Sequence, residues 1–403
     1  MPTLLQINVV SNMLSTGKIT EDIAKVVSSK GWECYVAYGR WSRPGICKEI
    51  RIGSMLGSYV HYLENKLFDN EGLSSRLSTK HFISVVEKIR PDIIHLHNIH
   101  DHYLNYPLFF DYLAQSGIPV VWTQHDCWSF TGGCMYFDML DCVRWKKACC
   151  NCPEKRAWLC DKADTQFALK KKSFLNVPNL SLITVSNWLE NIMRESFFSK
   201  CDIRTIHNGV DLDVFRSRGS SRKESGVFQI LGVAGVWHKR KGFDDFIKLR
   251  HLLPLDYRIV LVGLSDSQIG NLPDGIIGIK RTHDVSELAS LYENSDVYVN
   301  PTYSDNFPTT NIESLACGTP VITYRTGGSP EAIDVATGMV VEQGDVAGFA
   351  KAIIHMREHP MSTAACRQRA EMYFDKNKCF GSYLELYNRL LNENSIRRSA
   401  LLS

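Results

Sequence analysis

This chain predicts an α/β protein built on two doubly wound parallel sheets, on three observations. Short apolar runs alternate with amphipathic stretches along its whole length, which is the βα rhythm of a parallel sheet. At 403 residues it is long for one core and comfortable for two. Residues 301–331, PTYSDNFPTTNIESLACGTPVITYRTGGSPE, read as strand end, polar loop, helix, tight turn, strand, Gly-Gly loop and a new helix start. That is the punctuation of a ligand site at the carboxyl edge of such a sheet.

Composition narrows the class. Hydrophobic content of 44% against 22% charged residues is that of a globular protein whose domains can bury full cores. A net charge of +3 is nearly balanced and predicts no nucleic-acid partner. No apolar run reaches the roughly 18 residues of a membrane span. The N-terminal LLQINVV is short, lacks a basic leader and turns polar at once, so it reads as a first strand rather than a signal peptide. Thirteen cysteines is an odd number, and without an export signal it favours reduced thiols in a cytoplasmic protein. Cys34, Cys47, Cys201, Cys317, Cys366 and Cys379 are scattered and read as small buried hydrophobes.

Taken in order, residues 4–10 form a strand, and the loop 11–18 leads into a helix from about Ile19 with Ile23, Ala24, Val26 and Val27 on its apolar face. Gly17, placed in that loop, either lets the backbone approach a ligand or eases the start of the helix. Residues 34–38 are a second strand. Residues 53–68, GSMLGSYVHYLENKLF, read as a helix in ordinary packing, because His61, Glu64 and Lys66 interrupt its apolar face; contact with lipid is the second reading. A helix over 79–89 feeds a strand over 92–97 and a loop holding Asn98, His100, Asp101, His102 and Asn105. After a helix over 104–115, the strand 119–123 ends in Gln124-His125-Asp126, a position suited to touching substrate. His95, His97, His100 and His102 near His125 would suggest a metal site, although no carboxylate cluster accompanies them in sequence.

The insert 127–160 holds the other seven cysteines. Cys134-x7-Cys142-x6-Cys149-x2-Cys152 contains one good zinc half-site, a CxxC, and two looser ligands for which Cys150 or Cys160 could substitute. Structural zinc and plain reduced cysteines are the two readings. The region is basic through Arg144, Lys146, Lys147, Lys155, Arg156, Lys162, Lys170, Lys171 and Lys172, which suits either an anionic lipid-linked acceptor at a membrane surface or a solvated face. Strands at 182–185 and 203–206 flank a helix from Trp188 and lead to His207-Asn208-Gly209-Val210-Asp211.

A polar linker, 216–225, precedes the second run of strands and helices. Its first strand, 229–234, opens the loop Gly235-Val236-Trp237-His238-Lys239-Arg240-Lys241-Gly242, where three consecutive cations precede a helix at Phe243. A diphosphate needs compensating charge and close backbone approach, and this loop offers both. Strands at 258–262, 276–279 and 297–300, and a helix at 287–292, bring the chain to 301–331; helices at 346–355 and 379–391 follow. In the 301–331 stretch Asp305 lies in the loop. Glu313 lies about one and a half turns into the helix if Pro308 occupies its first turn. The N–H groups of Thr309, Thr310 and Asn311 would point at an anion.

Asp305-x7-Glu313, with Ala316-Cys317-Gly318-Thr319-Pro320-Val321 and Gly327-Gly328-Ser329-Pro330-Glu331, resembles the E-x7-E motif of the retaining glycosyltransferase family 4. Asn208-Gly209-Val210-Asp211 resembles that family's crossing between domains. The resemblance implies a GT-B fold, two Rossmann-like doubly wound domains facing across a cleft. Residues 1–205 would be the acceptor side, with the insert 127–160; residues 206–375 would bind a nucleotide sugar; residues 376–403 would be a helix crossing back. It implies a hexosyltransferase that moves a sugar from a UDP- or GDP-sugar to a glycan hydroxyl with retention and no required cofactor. His125 would reach the sugar, Asp305 would orient its hydroxyls and Glu313 would bind the ribose. Arg240 and Lys241 would meet the diphosphate, and Gly17, Gly235, Phe307, Pro308, Thr309 and Thr310 would line the donor. Two departures stand out: the first acid is Asp, and Val236 sits where the family places arginine, leaving Arg240 to supply that charge. A subset linked to colanic-acid-type polysaccharide synthesis resembles the insert, with its Thr-Gly-x-Cys run at Thr131 to Cys134. That likeness implies a lipid-linked glycan acceptor and a cytoplasmic protein, peripheral at the inner membrane face. A GT-B epimerase acting on a UDP-sugar and a catalytically silent nucleotide-sugar-binding subunit are the alternatives.

Overall fold

A computed structural model of the chain describes residues 1–154, 157–217 and 226–402. Lys155 and Arg156 of the basic stretch and residues 218–225 of the polar linker lie outside the described residues. The chain divides into two compact units, Met1–Ile206 with Phe380–Ser403, and His207–Cys379.

The first unit is a parallel sheet of β1 (Thr3–Ser11), β2 (Glu33–Ser42), β3 (Lys48–Arg51), β4 (Ile93–Leu96), β5 (Val120–Gln124), β6 (Leu180–Thr184) and β7 (Asp202–Thr205). Their order is β3-β2-β1-β4-β5-β6-β7. The chain runs outward from β1 to β3, then returns to place β4 beside β1, so the loops after β1 and β4 diverge and leave a crevice at the carboxyl edge. Helices cover both faces of such a sheet, which is why its strands are nearly continuous apolar runs; Leu4, Leu5, Ile7, Ile93, Ile94, Val120 and Val121 have no exposed surface.

The second unit repeats the scheme with β8 (Phe228–Val233), β9 (Tyr257–Val262), β10 (Ile276–Ile279), β11 (Val297–Asn300), β12 (Val321–Tyr324) and β13 (Gly338–Val341). The order is β10-β9-β8-β11-β12-β13, all parallel, so the switch point falls between β8 and β11. The loops that follow these two strands carry the basic run 239–241 and the start of 301–331.

Where the chain enters and leaves this unit the two segments run side by side. Val210 N–H donates to Phe374 O (2.7 Å), Lys376 N–H donates to Val210 O (3.1 Å), and Lys376 Nζ meets Asp211 Oδ2 at 2.5 Å. A Cβ on Gly209 would stand 2.4 Å from the Lys376 Cα, so only glycine permits the approach. Beyond it the helix Lys376–Leu402 packs Tyr383 and Tyr387 into the first unit, where Tyr387 OH bonds His95 Nδ1 (2.6 Å) and Tyr383 OH bonds Thr123 Oγ1 (3.0 Å).

Three expectations change. The first helix is Leu14–Ser28, longer than expected, and Gly17 lies inside it, buried. A Cβ there would meet Val10 Cγ2 at 3.1 Å and Asn12 N at 3.2 Å, so this glycine serves close packing of helix on strand. The helix Met55–Phe68 does not pack by its apolar face: it buries Ser58 and His61 and leaves Met55, Leu56, Tyr59, Val60, Leu63 and Phe68 exposed. Lys170 belongs to no surface patch. It is buried, donates from Nζ to Trp128 O (2.7 Å) and Thr131 O (3.3 Å), and sits 3.5 Å from the Trp128 ring centroid.

Candidate active site

In the second unit the sheet order brings the two diverging loops together. After β8 the chain closes a 3-10 turn, Lys239–Lys241, ended by Gly242 in a left-handed conformation. From it Lys241 Nζ reaches Asp305 Oδ2 at 2.5 Å. Arg240 latches the same loops, its Nη1 donating to Ser304 O (2.6 Å) and its carbonyl accepting from Tyr303 N–H (2.7 Å). Asp305 is further held by its own backbone. Gly327 turns beneath it at φ +53°, and a Cβ there would stand 1.9 Å from Asp305 O, so the Gly-Gly loop is required for that approach. Gly235 borders open space, and Val236 is 69% exposed.

The acidic helix runs Thr309–Ala316. Pro308 is its cap rather than part of its first turn, which places Glu313 a little over one turn from the helix start. By helix geometry the N–H groups of Thr309 and Thr310 have no intrahelical partner. Asn311 N–H, expected among them, instead donates to Pro308 O (3.2 Å). The Asn311 side chain is a buried tie, accepting from Asn300 Nδ2 (2.8 Å) and donating to Ser329 O (3.1 Å) and Ser329 Oγ (3.0 Å). Phe307 and Pro308 are buried, and Phe307 stacks on His207 with centroids 4.8 Å apart. They shape the loop from within.

Glu313 keeps some solvent-accessible surface although protein atoms crowd its carboxylate on most sides. Burial raises it to about 7 against the pull of two hydrogen bonds, from Tyr292 OH (3.1 Å) and the Thr309 side chain. A group both desolvated and reachable is unusual for a surface helix acid, and its oxygens can take two donors from a neighbouring diol. Tyr298 lies buried below, hydrogen-bonded to the Thr310 side chain and within the electrostatic reach of both Glu313 and Asp305. Sequence reasoning missed Tyr292, Tyr298 and the role of the Asn311 side chain, for which aromatic and amide character was the only available signal.

In the first unit the histidines do gather, at the carboxyl ends of β4 and β5. A chain of hydrogen bonds fixes two of their tautomers: Gln6 Nε2 donates to Thr20 O (2.8 Å), so its Oε1 accepts from His97 Nε2–H (3.1 Å). His97 Nδ1 is then an acceptor, and His125 Nε2–H donates to it (3.1 Å). The two rings stack, 5.4 Å apart. Burial, with His100 nearby and against the pull of Asp126, holds His125 down to about 4, so it is neutral at pH 7. His125 is half-buried while His95, His97, His100 and His102 are buried. His95 is spent between Thr123 and Tyr387, and His100 Nε2 bonds Asp126 Oδ2 at 2.8 Å. Burial opposes the charge of His100, but Asp126, Asp101 and Glu71 outweigh it and raise it to about 9. Carboxylates therefore do accompany these histidines, brought by the fold from residues 71 and 126.

No disulfide joins any of the thirteen cysteines among the described residues. Cys134, Cys142, Cys149 and Cys152 line one small cavity together with Cys150, and Gly132 N–H donates to Cys149 Sγ (3.1 Å). Burial pushes the Cys134 thiol up to about 12. Among the described residues no three of these sulfurs lie within 4.8 Å of one another, wider than the spacing on a bound tetrahedral zinc. The candidate ligands are assembled but not drawn in.

Residues 17–214 match the family described as Glycosyltransferase Family 4, and residues 228–359 the family described as Glycosyl transferases group 1. D-inositol 3-phosphate glycosyltransferase of Mycobacterium tuberculosis (strain H37Rv) is 30% identical over 221 residues, covering 49% of this chain and 45% of that protein. The chain thus spans about half the length of the curated relatives it matches. Among solved structures, sucrose-phosphate synthase from Thermosynechococcus elongatus superposes with a TM-score of 0.75 at 18% identity, over 98% of this chain and 100% of that one. Anabaena HepE in complex with UDP gives 0.67 at 14% identity, over 96% and 100%. These likenesses are ones of fold. With a Glycosyltransferase Family 4 domain followed by a Glycosyl transferases group 1 domain, the chain joins two glycosyltransferase domains on the GT-B fold.

Proposed function

We propose that the protein is a retaining glycosyltransferase that moves a sugar from a nucleotide-diphosphate sugar to a hydroxyl of a lipid-linked glycan, in surface polysaccharide synthesis. The observation that carries the reading is Glu313, a carboxylate that is crowded by protein, still reachable, and one turn from a helix start. On this reading Glu313 takes the two ribose hydroxyls. The leaving diphosphate lies against the N–H groups of Thr309 and Thr310, where the helix dipole favours negative charge. Lys241 has three donors, so it can hold Asp305 and a phosphate oxygen together. Arg240 adds charge at the same loop, in place of the arginine absent at Val236. Asp305, anchored over Gly327, orients sugar hydroxyls, and His125 contacts the sugar as a neutral imidazole. A uridine donor is supported by a neighbour of the same fold, Anabaena HepE, solved with UDP-glucose.

The lipid-linked acceptor is supported by the outward apolar face of Met55–Phe68. Trp158 and Leu159, 71% and 67% exposed, join the end of this helix through N–H bonds to Lys66 O (2.8 Å) and Leu67 O (3.1 Å). No helix among the described residues is long and apolar enough to cross a membrane. The same reading assigns a structural zinc to Cys134, Cys142, Cys149 and Cys152, supported by their shared cavity.

Incubation with a panel of nucleotide sugars tests the reaction. Slow release of free nucleoside diphosphate supports transfer; interconversion of sugars would make the protein an epimerase, and binding without turnover a silent subunit. Glu313→Ala should abolish donor binding, and unchanged affinity would sink the ribose assignment.

A further inference from the structure

We propose that Glu71, His100 and Asp101 of the first unit form a binding site for a divalent transition-metal cation. One carboxylate oxygen of each acid and one ring nitrogen of His100 lie within 4.8 Å of one another. His100 is 5% exposed and spends Nε2 on Asp126, whereas its Nδ1 is buried without a hydrogen-bond partner. A buried polar atom left so is costly, and a cation beside the two carboxylates would satisfy it.

The surroundings fit a ligand set. Glu71 is oriented by Trp128 Nε1–H, which donates to its Oε2 at 3.0 Å, and by the Asp101 N–H at 3.4 Å from Oε1. Asp126 accepts from both His100 Nε2 (2.8 Å) and Trp128 N–H (2.9 Å). It is thus placed as the outer carboxylate of a carboxylate–histidine–cation arrangement: with Nε2–H donating to Asp126, the proton that an entering ion displaces is the one on Nδ1. Asp101 and His102 are consecutive non-glycine residues in left-handed backbone, φ 79° and 69°, a conformation held only where the surroundings impose it. One imidazole and two carboxylates suit manganese, iron(II), nickel or zinc better than magnesium or calcium. The ion would tie the loop after β4 to residue 71, which follows the Met55–Phe68 helix, and so fix the wall on which the histidines stand.

The rival is internal: a protonated His100 is itself the cation facing Glu71, Asp101 and Asp126. Titration of the metal-stripped full-length protein with Mn2+, followed by the electron paramagnetic resonance of the free ion, separates the two. Manganese is chosen because the thiols of the insert hold it poorly. The expected result is one saturable site per chain that Glu71→Gln and Asp101→Asn each weaken at least tenfold. Asp126→Asn should weaken it about 10–100-fold through His100. Glutamine keeps an oxygen for Trp128, and asparagine tolerates left-handed backbone, so both variants should retain the wild-type thermal midpoint. Asp266→Asn, at an exposed acid of the second unit, is the control. No saturable site, or a site of unchanged affinity in both Glu71→Gln and Asp101→Asn, overturns the proposal in favour of the protonated histidine.

Discussion

On the proposed assignment of Glu313 to the donor, binding should depend on pH in a way that can be worked out beforehand. Its carboxyl is raised to about 7 by burial. If the ribose is held by the ionised form, affinity follows the ionised fraction, about one part in eleven at pH 6 and ten in eleven at pH 8. The nucleotide should therefore bind about tenfold more weakly at pH 6 than at pH 8. The terminal phosphate of a nucleoside diphosphate titrates nearby, so the quantity to read is the difference between wild type and Glu313→Gln, measured by isothermal calorimetry with UDP and GDP. The variant should bind more weakly and lose that tenfold slope. Stability moves the other way. A carboxyl raised on folding contributes stability that is fully present below its unfolded value near 4.5 and is lost as pH climbs through 7. The rise from 4.5 to about 7 corresponds to at most about 3.4 kcal/mol, less whatever solvent reaches the group. Glu313→Gln should accordingly be the more stable protein at pH 8, by denaturant titration, while being the poorer binder. Equal pH slopes in the two proteins would refute the assignment of Glu313 to the ligand.

Four further outcomes are expected. Lys241→Ala should weaken nucleoside diphosphates about 10–100-fold while leaving nucleoside affinity unchanged, since it removes one charge-assisted contact of about 1.5–3 kcal/mol to phosphate; equal losses for both ligands would place Lys241 elsewhere. Gly327→Ala forces a Cβ to within 1.9 Å of Asp305 O and should cost more than about 2 kcal/mol in urea unfolding. Protein purified without chelator should release about one zinc per chain on thiol titration, and Cys149→Ser should abolish it, if the thiols lining the insert cavity close on a metal. Replacing Leu56, Tyr59 and Leu63 by serine should leave the thermal midpoint nearly unchanged, because these side chains are exposed, yet reduce sedimentation with vesicles of anionic phospholipid.

How much of this was legible depended on where each signal was written. Strands buried on both faces, such as β1, β5 and β9, announced themselves as apolar runs. The edge strand β3, KEIR, is largely exposed and offered no such run, and the helix Thr363–Tyr373 buries only Cys366 and Ala370. In the candidate site, Asp305 and Glu313 were readable because one loop and one helix carry both. The pairing of Lys241 with Asp305 was not, since 64 residues separate them and only the placement of β11 beside β8 makes them neighbours. The orienting partners of Glu313 were hidden for the same reason: Tyr292 sits on the preceding helix, Val285–Glu293, where an aromatic residue reads simply as core.

The helix Met55–Phe68 failed for a different reason. Its polar residues were taken as interruptions of an apolar face, when they are the face that packs. His61 bonds Ser75 Oγ through Nδ1 (2.9 Å) and accepts the Gly72 N–H at Nε2 (3.1 Å), while Asn65 Nδ2 meets His102 Nε2 (2.9 Å). Satisfying those groups inside turns Leu56, Tyr59, Val60 and Leu63 outward, because residues three and four apart share one side of a helix. A chain folding only to bury apolar surface would have rolled this helix over. That it does not means the hydrogen bonds to residues 70–75 and 102 decide its orientation. Those same residues flank Glu71, His100 and Asp101, so the outward apolar face and the cluster of histidines and acids are two consequences of one buried polar layer.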